Sequence, residues 1–243
     1  MHIASVPRHS ESVLQASGEF SLTFGRAIVC IHGIASVSLV LGFGSAPLVV
    51  TVVGSNLLGI VYSVPLPFLP TRWKRYPALA AGCIVVVRSL IVQIGFHEHL
   101  RAVVGTGSVQ AWHGNPKVLF SVVFFLAMGV VIALFKDIPD IAGDKEANIK
   151  TLAVRVGAQR VVNLCALIGA CAFAGAVAYW VLVERHYACA VGHAISGWWL
   201  WRKLRETKVE GPQAAKSMRS SYMGIWRVFF IEYVLLMLSL YEW

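Results

Sequence analysis

The chain has 243 residues, of which 57% are hydrophobic and only 14% charged, with a mean hydropathy of +0.69 and a formal net charge of +9. A soluble domain carries about a quarter of its residues charged, so this composition excludes one and implies an all-α, polytopic transmembrane bundle. The five cysteines, Cys30, Cys83, Cys165, Cys171 and Cys189, lie singly in apolar stretches with no CxxC or Cys/His spacing. That excludes a disulfide scaffold or a zinc module and reads as small buried hydrophobes.

Residues 1–19, MHIASVPRHSESVLQASGE, form a polar lead with no apolar core, and neither a signal peptide nor a transit peptide is visible in them. The remainder, 20–243, reads as one transmembrane domain. Its apolar stretches predict about seven helices, near 20–42, 46–66, 76–97, 117–135, 160–182, 187–201 and 222–240, each near the roughly 20 residues that span a bilayer, with 187–201 the shortest. Threaded in alternation, they put the lead and the loops at 67–75, 136–159 and 202–221 on one side. With Arg160 counted at its loop boundary, that side carries fifteen of the twenty-one Lys and Arg. Arg101, Lys117 and Arg185 fall opposite, and Arg26, Arg88 and Arg227 lie inside spans. The bias is that of positive-inside topology, so the charge signals a lipid bilayer and no nucleic acid.

The first two predicted spans are rich in Gly, Ala and Ser, which predicts close helix packing. The second continues through Tyr62 into YSVPLP (62–67) and PTRWKR (70–75), an aromatic and basic interfacial anchor around Arg72, Trp73 and Arg75. The third carries VRSLIVQIGF (87–96). Arg88 and Gln93 are costly inside a bilayer, and such residues face a bundle interior or a cavity. Arg88 equally well snorkels or pairs with Glu232 of the last span, and the sequence leaves these open. His97, Glu98 and His99 follow, where interfacial anchoring is a simpler reading than a zinc site.

The fourth span delivers the chain into KDIPDIAGDKEANIKTLAVRVG (136–157). Asp137, Asp140 and Asp144 follow the pattern D-x-x-D-x-x-x-D, which places three carboxylates on one face of a helical turn. Crowded carboxylates tend to protonate unless a cation sits among them, and the hard cation suited to carboxylate plus phosphate oxygens is Mg2+. Lys136, Lys145 and Lys150 are placed to hold the accompanying anion. The stretch reads as a magnesium-diphosphate clamp, with an acidic solvated loop as the alternative that spacing alone leaves open. Pro139 cannot continue the preceding helix, so a short separate helix is expected after it. The loop at 202–219 reads as a solvated basic connector, and Arg227 and Glu232, five apart, do not share a helical face well.

Residues 136–157 closely resemble the second aspartate-rich motif of the UbiA-type intramembrane prenyltransferases, most of all the plant branch acting on homogentisate. The resemblance covers nearly all of residues 16–240 and includes ASGEFS (16–21), VRSLIVQIGF and SYMGIWRVFFIEYVL (221–235). It implies a nine-helix bundle of which this chain carries the last seven. It further implies transfer of a phytyl or geranylgeranyl group from its diphosphate to an aromatic acceptor such as homogentisate, in tocopherol or tocotrienol (vitamin E) biosynthesis at a plastid membrane, with Mg2+ as cofactor. By this resemblance Asp137, Asp140 and Asp144 hold the metal, and Asp140, Asp144, Tyr62 and Lys74 act in catalysis. Arg72, Arg88, Gln93, Lys136, Lys150 and Arg155 bind substrate. Three departures stand out. Two extra residues near Pro70 and Thr71 shift the register of Lys74. Asn148 stands where members of the family usually carry Gly, and the family's earlier N-Q-x-x-D-x-x-x-D motif is not found, so half of the expected metal site and two helices are expected to be missing. Competing readings are a prenyltransferase for a flavonoid, coumarin or other phenolic, and a non-catalytic membrane subunit or small-ion carrier built on the helix break near Pro139.

Overall fold

The structure, a computed structural model, describes residues 21–64, 73, 76–105 and 110–238. Arg72 and Lys74 lie outside the described residues. Helix α1 (Leu22–Phe43) begins where the Ser21 hydroxyl accepts from the Phe24 amide, and α2 (Ala46–Ser63) carries a proline in its first turn. Pro77 opens one continuous rod made of α3 (Pro77–Val85), a π-helical turn (Val86–Ile91) and α4 (Val92–Val104). Helix α5 (Pro116–Lys136) is capped by Asn115, whose Oδ1 accepts from the Lys117 and Val118 amides at 3.0 and 3.3 Å. Two short helices, α6 (Ile141–Glu146) and α7 (Leu152–Val156), lead into the long α8 (Ala158–Leu182), α9 (Tyr187–Arg205) and α10 (Ala214–Leu238).

Among the described residues six stretches are long and apolar enough to cross a membrane: α1 from Thr23, α2, the Pro77–Val104 rod, α5, α8 and α10. The remaining predicted span, the sixth in chain order, corresponds to α9. It continues past the predicted end at 201 through Arg202, Lys203 and Arg205, which complement the negative end of the helix dipole and take α9 out of that apolar set. Helix α10 starts at Ala214 rather than near 222, because Lys216 and Arg219 extend a helix beyond its apolar part. The basic connector is therefore shorter than the 202–221 expected.

Helix α5 is the central stave. Phe124, Phe125, Met128, Val131, Ile132 and Phe135 are buried against Val161, Val162 and Cys165 of α8, Leu200 and Leu204 of α9, and Ile225, Val228 and Phe229 of α10. By contrast α1 and α2 are peripheral, with Val29, Phe43 and Val50 turned outward. The small residues of these two helices do not mark tight packing as expected: a Cβ on Gly42, Gly54 or Gly59 would meet nothing within 4 Å. Close approach is set by glycines of other helices, in one case against α2 itself. A Cβ on Gly197 would lie 2.5 Å from Cβ of Phe173, where α9 crosses α8, and one on Gly95 would fall on the Thr51 hydroxyl, where α4 crosses α2. All five cysteines are free thiols; Cys165 and Cys189 are buried as expected, whereas Cys30 and Cys171 are exposed.

Candidate functional site

The helix break is where the acidic motif is shaped. Helix α5 ends at Lys136, Asp137 caps it, and Asp140 stands at the start of α6, whose Asp144 amide donates to the Asp140 carbonyl at 2.8 Å. The carboxylates thus do not share one continuous helical face. A turn around Pro139, followed by one helical turn, brings them together, as the proline demanded.

Asp137, Asp140 and Asp144 line one cavity of about 220 Å³, together with Tyr62 of α2, Lys136 of α5, Thr151, and the small walls Pro77, Ala80, Ala81 and Ala133. Lys136 Nζ sits 2.9 Å from Oδ1 of Asp137, and the Thr151 hydroxyl donates to Oδ2 of Asp144 at 3.3 Å. Burial, reinforced by the neighbouring Asp137 and Asp140, raises the pKa of Asp144, while the Thr151 hydrogen bond and Lys136 lower it. A protonation bias of this kind is what a bound cation relieves. No three His, Cys, Asp or Glu side chains among the described residues close around one point tightly enough to hold a metal ion by themselves. The donors are nonetheless all oxygen, and an open carboxylate rim fits Mg2+, which keeps waters and takes phosphate oxygens as further ligands.

A second cavity of about 330 Å³ adjoins the first. It shares Pro77, Ala81, Ala133 and Asp137 and adds Lys150 and Arg155, so two further cations stand beside the acidic rim. Lys145 lines neither cavity. Thr151 escaped the sequence reading, although a threonine just before the apolar LAVRV run is a helix-cap signal: its Oγ1 accepts from the Val154 amide while serving Asp144. Asn148 adopts a left-handed φ of 55°, a conformation that asparagine tolerates better than most residues, so the turn survives the departure from Gly.

Two expected pocket residues stand elsewhere. Arg88, on the π-helical turn, lines a cavity of about 390 Å³ that has Tyr62 as its one lining residue in common with the acidic one. It does not pair with Glu232; its guanidinium lies 4.4 Å from the ring centre of Trp226. Glu232 is buried against His193, with Nδ1 and Oε2 2.5 Å apart. The contact is close but not aligned as a hydrogen bond, and neither side chain has a hydrogen-bond partner among the described residues. Gln93 donates to the Tyr233 hydroxyl at 2.7 Å and faces a separate apolar cavity of about 610 Å³ at the other end of the rod, so it is not part of the acidic site. His97 and His99 are each tied to a different partner, His97 to the Gln110 carbonyl and His99 to the Ser45 hydroxyl.

A helical bundle with apolar helices long enough to cross a membrane and an acidic, lysine-flanked cavity at the break between two of them defines an intramembrane helical protein with a charged site at a helix break. The UbiA prenyltransferase family matches residues 4–231, and the chain belongs to that family. It is 38% identical over 226 residues to homogentisate geranylgeranyltransferase of Hordeum vulgare, covering 91% of this chain and 53% of that protein. It is 38% identical over 229 residues to homogentisate phytyltransferase 1, chloroplastic, of Arabidopsis thaliana, covering 91% and 55%. More distant, at 33% over 231 residues and covering 91% and 53%, is coumarin 8-geranyltransferase 1, chloroplastic, of Citrus limon. The chain thus spans about half the length of these relatives. No solved structure matches it significantly.

Proposed function

We propose that this protein is an aromatic prenyltransferase of a plastid membrane, which moves a geranylgeranyl or phytyl group from its diphosphate to homogentisate, toward tocotrienol or tocopherol. The observation that carries the reading is the single cavity lined by Asp137, Asp140 and Asp144 with Tyr62, Lys136 and Thr151, in a chain more similar to the relatives named for homogentisate than to the one named for coumarin. In this reading Asp137, Asp140 and Asp144 would hold Mg2+, which when bound would neutralise the leaving diphosphate as a Lewis acid.

The chain's own residues do the rest. Lys136, Lys150 and Arg155, at the two adjoining cavities, draw and orient the phosphates. Thr151 fixes the Asp144 carboxylate. Tyr62 offers its phenolic O–H as a hydrogen-bond donor to the charge developing on the departing oxygen, with Lys74 and Arg72, by family resemblance, adding positive charge there. The C1–oxygen bond breaks with its electron pair leaving on diphosphate, a ring carbon of the acceptor forms the new bond to C1, and the ring then loses its proton. Apolar helix walls keep water from the electron-deficient carbon.

The test is product formation: membranes containing the protein are given geranylgeranyl or phytyl diphosphate, Mg2+, and homogentisate, a coumarin or naringenin. Prenylated homogentisate is the expected product. A coumarin or flavonoid product instead would keep the chemistry and change the acceptor, and no diphosphate release with any acceptor would overturn the reading.

A further inference from the structure

On the outer surface of the bundle α8 and α9 leave a groove of about 360 Å³, which shares no lining residue with the acidic cavity. Ala170, Ala174 and Val177 of α8 form one wall, and Ala194, Trp198 and Trp201 of α9 form the other. Spacings of four and three put each set on one face of its helix. The depression exists because the α8 wall is made of small side chains while two exposed indoles stand opposite. Along α9 the outward stripe runs through Val191, Ile195 and Trp198, all exposed, and ends on Arg202.

The two tryptophans that wall the groove each carry an arginine one helical turn further on. The Arg202 guanidinium lies 5.6 Å from the ring centre of Trp198, and that of Arg205 lies 5.9 Å from the ring centre of Trp201. Attraction between cation and indole face at this distance keeps both charges at the end of the groove instead of leaving them to swing into water. Arg202 also pairs with Glu206 at 2.8 Å, but the two side chains are 60% and 61% exposed, and such a pair contributes little and exchanges readily. Arg205 has no ion pair among the described residues. Around them, residues 202–219 hold six Lys and Arg against two acids, Glu206 and Glu210, so the field at this end of the groove is positive.

An aromatic and basic girdle by itself only anchors a helix at the membrane interface. Here it borders a groove that is apolar along its length and ends under two held guanidiniums, which suits a ligand with an apolar body and an anionic head. We propose that the α8–α9 groove binds an anionic diacyl phospholipid of the surrounding membrane, one acyl chain lying between Ala170, Ala174 and Ala194 and the phosphate received by Arg202 and Arg205. Guanidinium groups pair two N–H donors with phosphate oxygens, and basic pockets beside membrane helices bind such headgroups. A second copy of this chain fits the face poorly. In a twofold pair sharing one membrane orientation the same patch meets itself, which sets these arginines against their own counterparts, and like charges repel. Free phosphate would leave the apolar walls uncovered. The site is separate from the acidic cavity, so it stands or falls without the prenyl-transfer reading.

The experiment is lipid binding to the detergent-purified protein followed by native mass spectrometry, with phosphatidylglycerol and phosphatidylcholine of identical acyl chains as probes. Wild type is expected to hold one phosphatidylglycerol at least about tenfold more tightly than phosphatidylcholine, the scale of two arginines acting on one headgroup. The double change Arg202→Gln with Arg205→Gln, at two exposed positions, is expected to hold both lipids alike. Ala174→Phe, whose ring fills the groove, is expected to weaken phosphatidylglycerol binding by about fivefold or more. Equal binding of the two lipids to wild type, which needs no variant to fold, overturns the proposal. So does an undiminished preference in the double arginine variant, phosphatidylglycerol binding untouched by Ala174→Phe, or displacement of the lipid by an equal concentration of inorganic phosphate. A dimer of the chain that these substitutions dissolve would also overturn it, since the face would then be an interface between copies.

Discussion

Asp144 shows how one carboxylate can report on the whole site. Its pKa is raised chiefly by burial and then by Asp137 and Asp140, above the ordinary aspartate value of about 3.9. The native protein therefore holds this proton more tightly than the unfolded chain does. In metal-free protein the corresponding stability is fully present below the unfolded value and is lost as pH rises through the raised native one. Melting followed between about pH 4 and 7 should show that loss in the wild type, a smaller one with Mg2+ present, and no such component in Asp144→Asn. Mg2+ needs the deprotonated form, so its affinity should fall as pH drops through the same window. Asp140→Asn and Asp144→Asn should each weaken Mg2+-dependent diphosphate binding by about tenfold to a hundredfold, the loss of one charge-assisted contact of about 1.5–3 kcal/mol. At Asn148, with its left-handed φ of 55°, replacement by Gly should leave stability nearly unchanged. Replacement by Val should cost about 1–3 kcal/mol in denaturant titrations.

Two crossings set how the elements hold the site. Gly197 lets α9 press against Phe173 of α8, and a methyl group there has no room. Gly197→Ala is expected to cost about 1–3 kcal/mol by overpacking. Gly175→Ala, in open space on α8, should be neutral or gain up to about 1 kcal/mol from helix propensity. Unfolding of the two variants in a denaturing detergent series tests the contrast, and equal effects would refute the packing argument. The His193–Glu232 contact ties α9 to α10 inside the apolar core, both side chains at most 1% exposed. His193→Leu should destabilise by about 3–5 kcal/mol by leaving the carboxylate buried and alone. The double change to Leu at both positions should recover most of that loss in the same measurement.

At the scale of the whole molecule, hydropathy made the helices legible, since α5, α8 and the rod are long runs of apolar residues, with proline at the starts of α5 and the rod. What it could not give was which faces touch. The Gly-rich α1 and α2 proved peripheral while the tight contacts fell at Gly95 and Gly197, because packing depends on the partner helix and not on local composition. The acidic motif was legible from Asp137, Asp140 and Asp144 around Pro139. Thr151 and Ala133 were not, because nothing in a single stretch says that α2, α3 and α5 converge there. Arg88 was visible as an anomaly in an apolar run, but its partner was not: Glu232 was the reasonable candidate until His193 proved to occupy it. The central claim is that the acidic cavity captures a prenyl diphosphate through a divalent cation. Its most direct test is a titration of the purified protein with geranylgeranyl diphosphate, in Mg2+ and again in excess EDTA, for wild type and Asp140→Asn. Saturable binding that disappears with EDTA and weakens at least about tenfold in the variant is the expected result. Binding indifferent to both the metal and the substitution would contradict it.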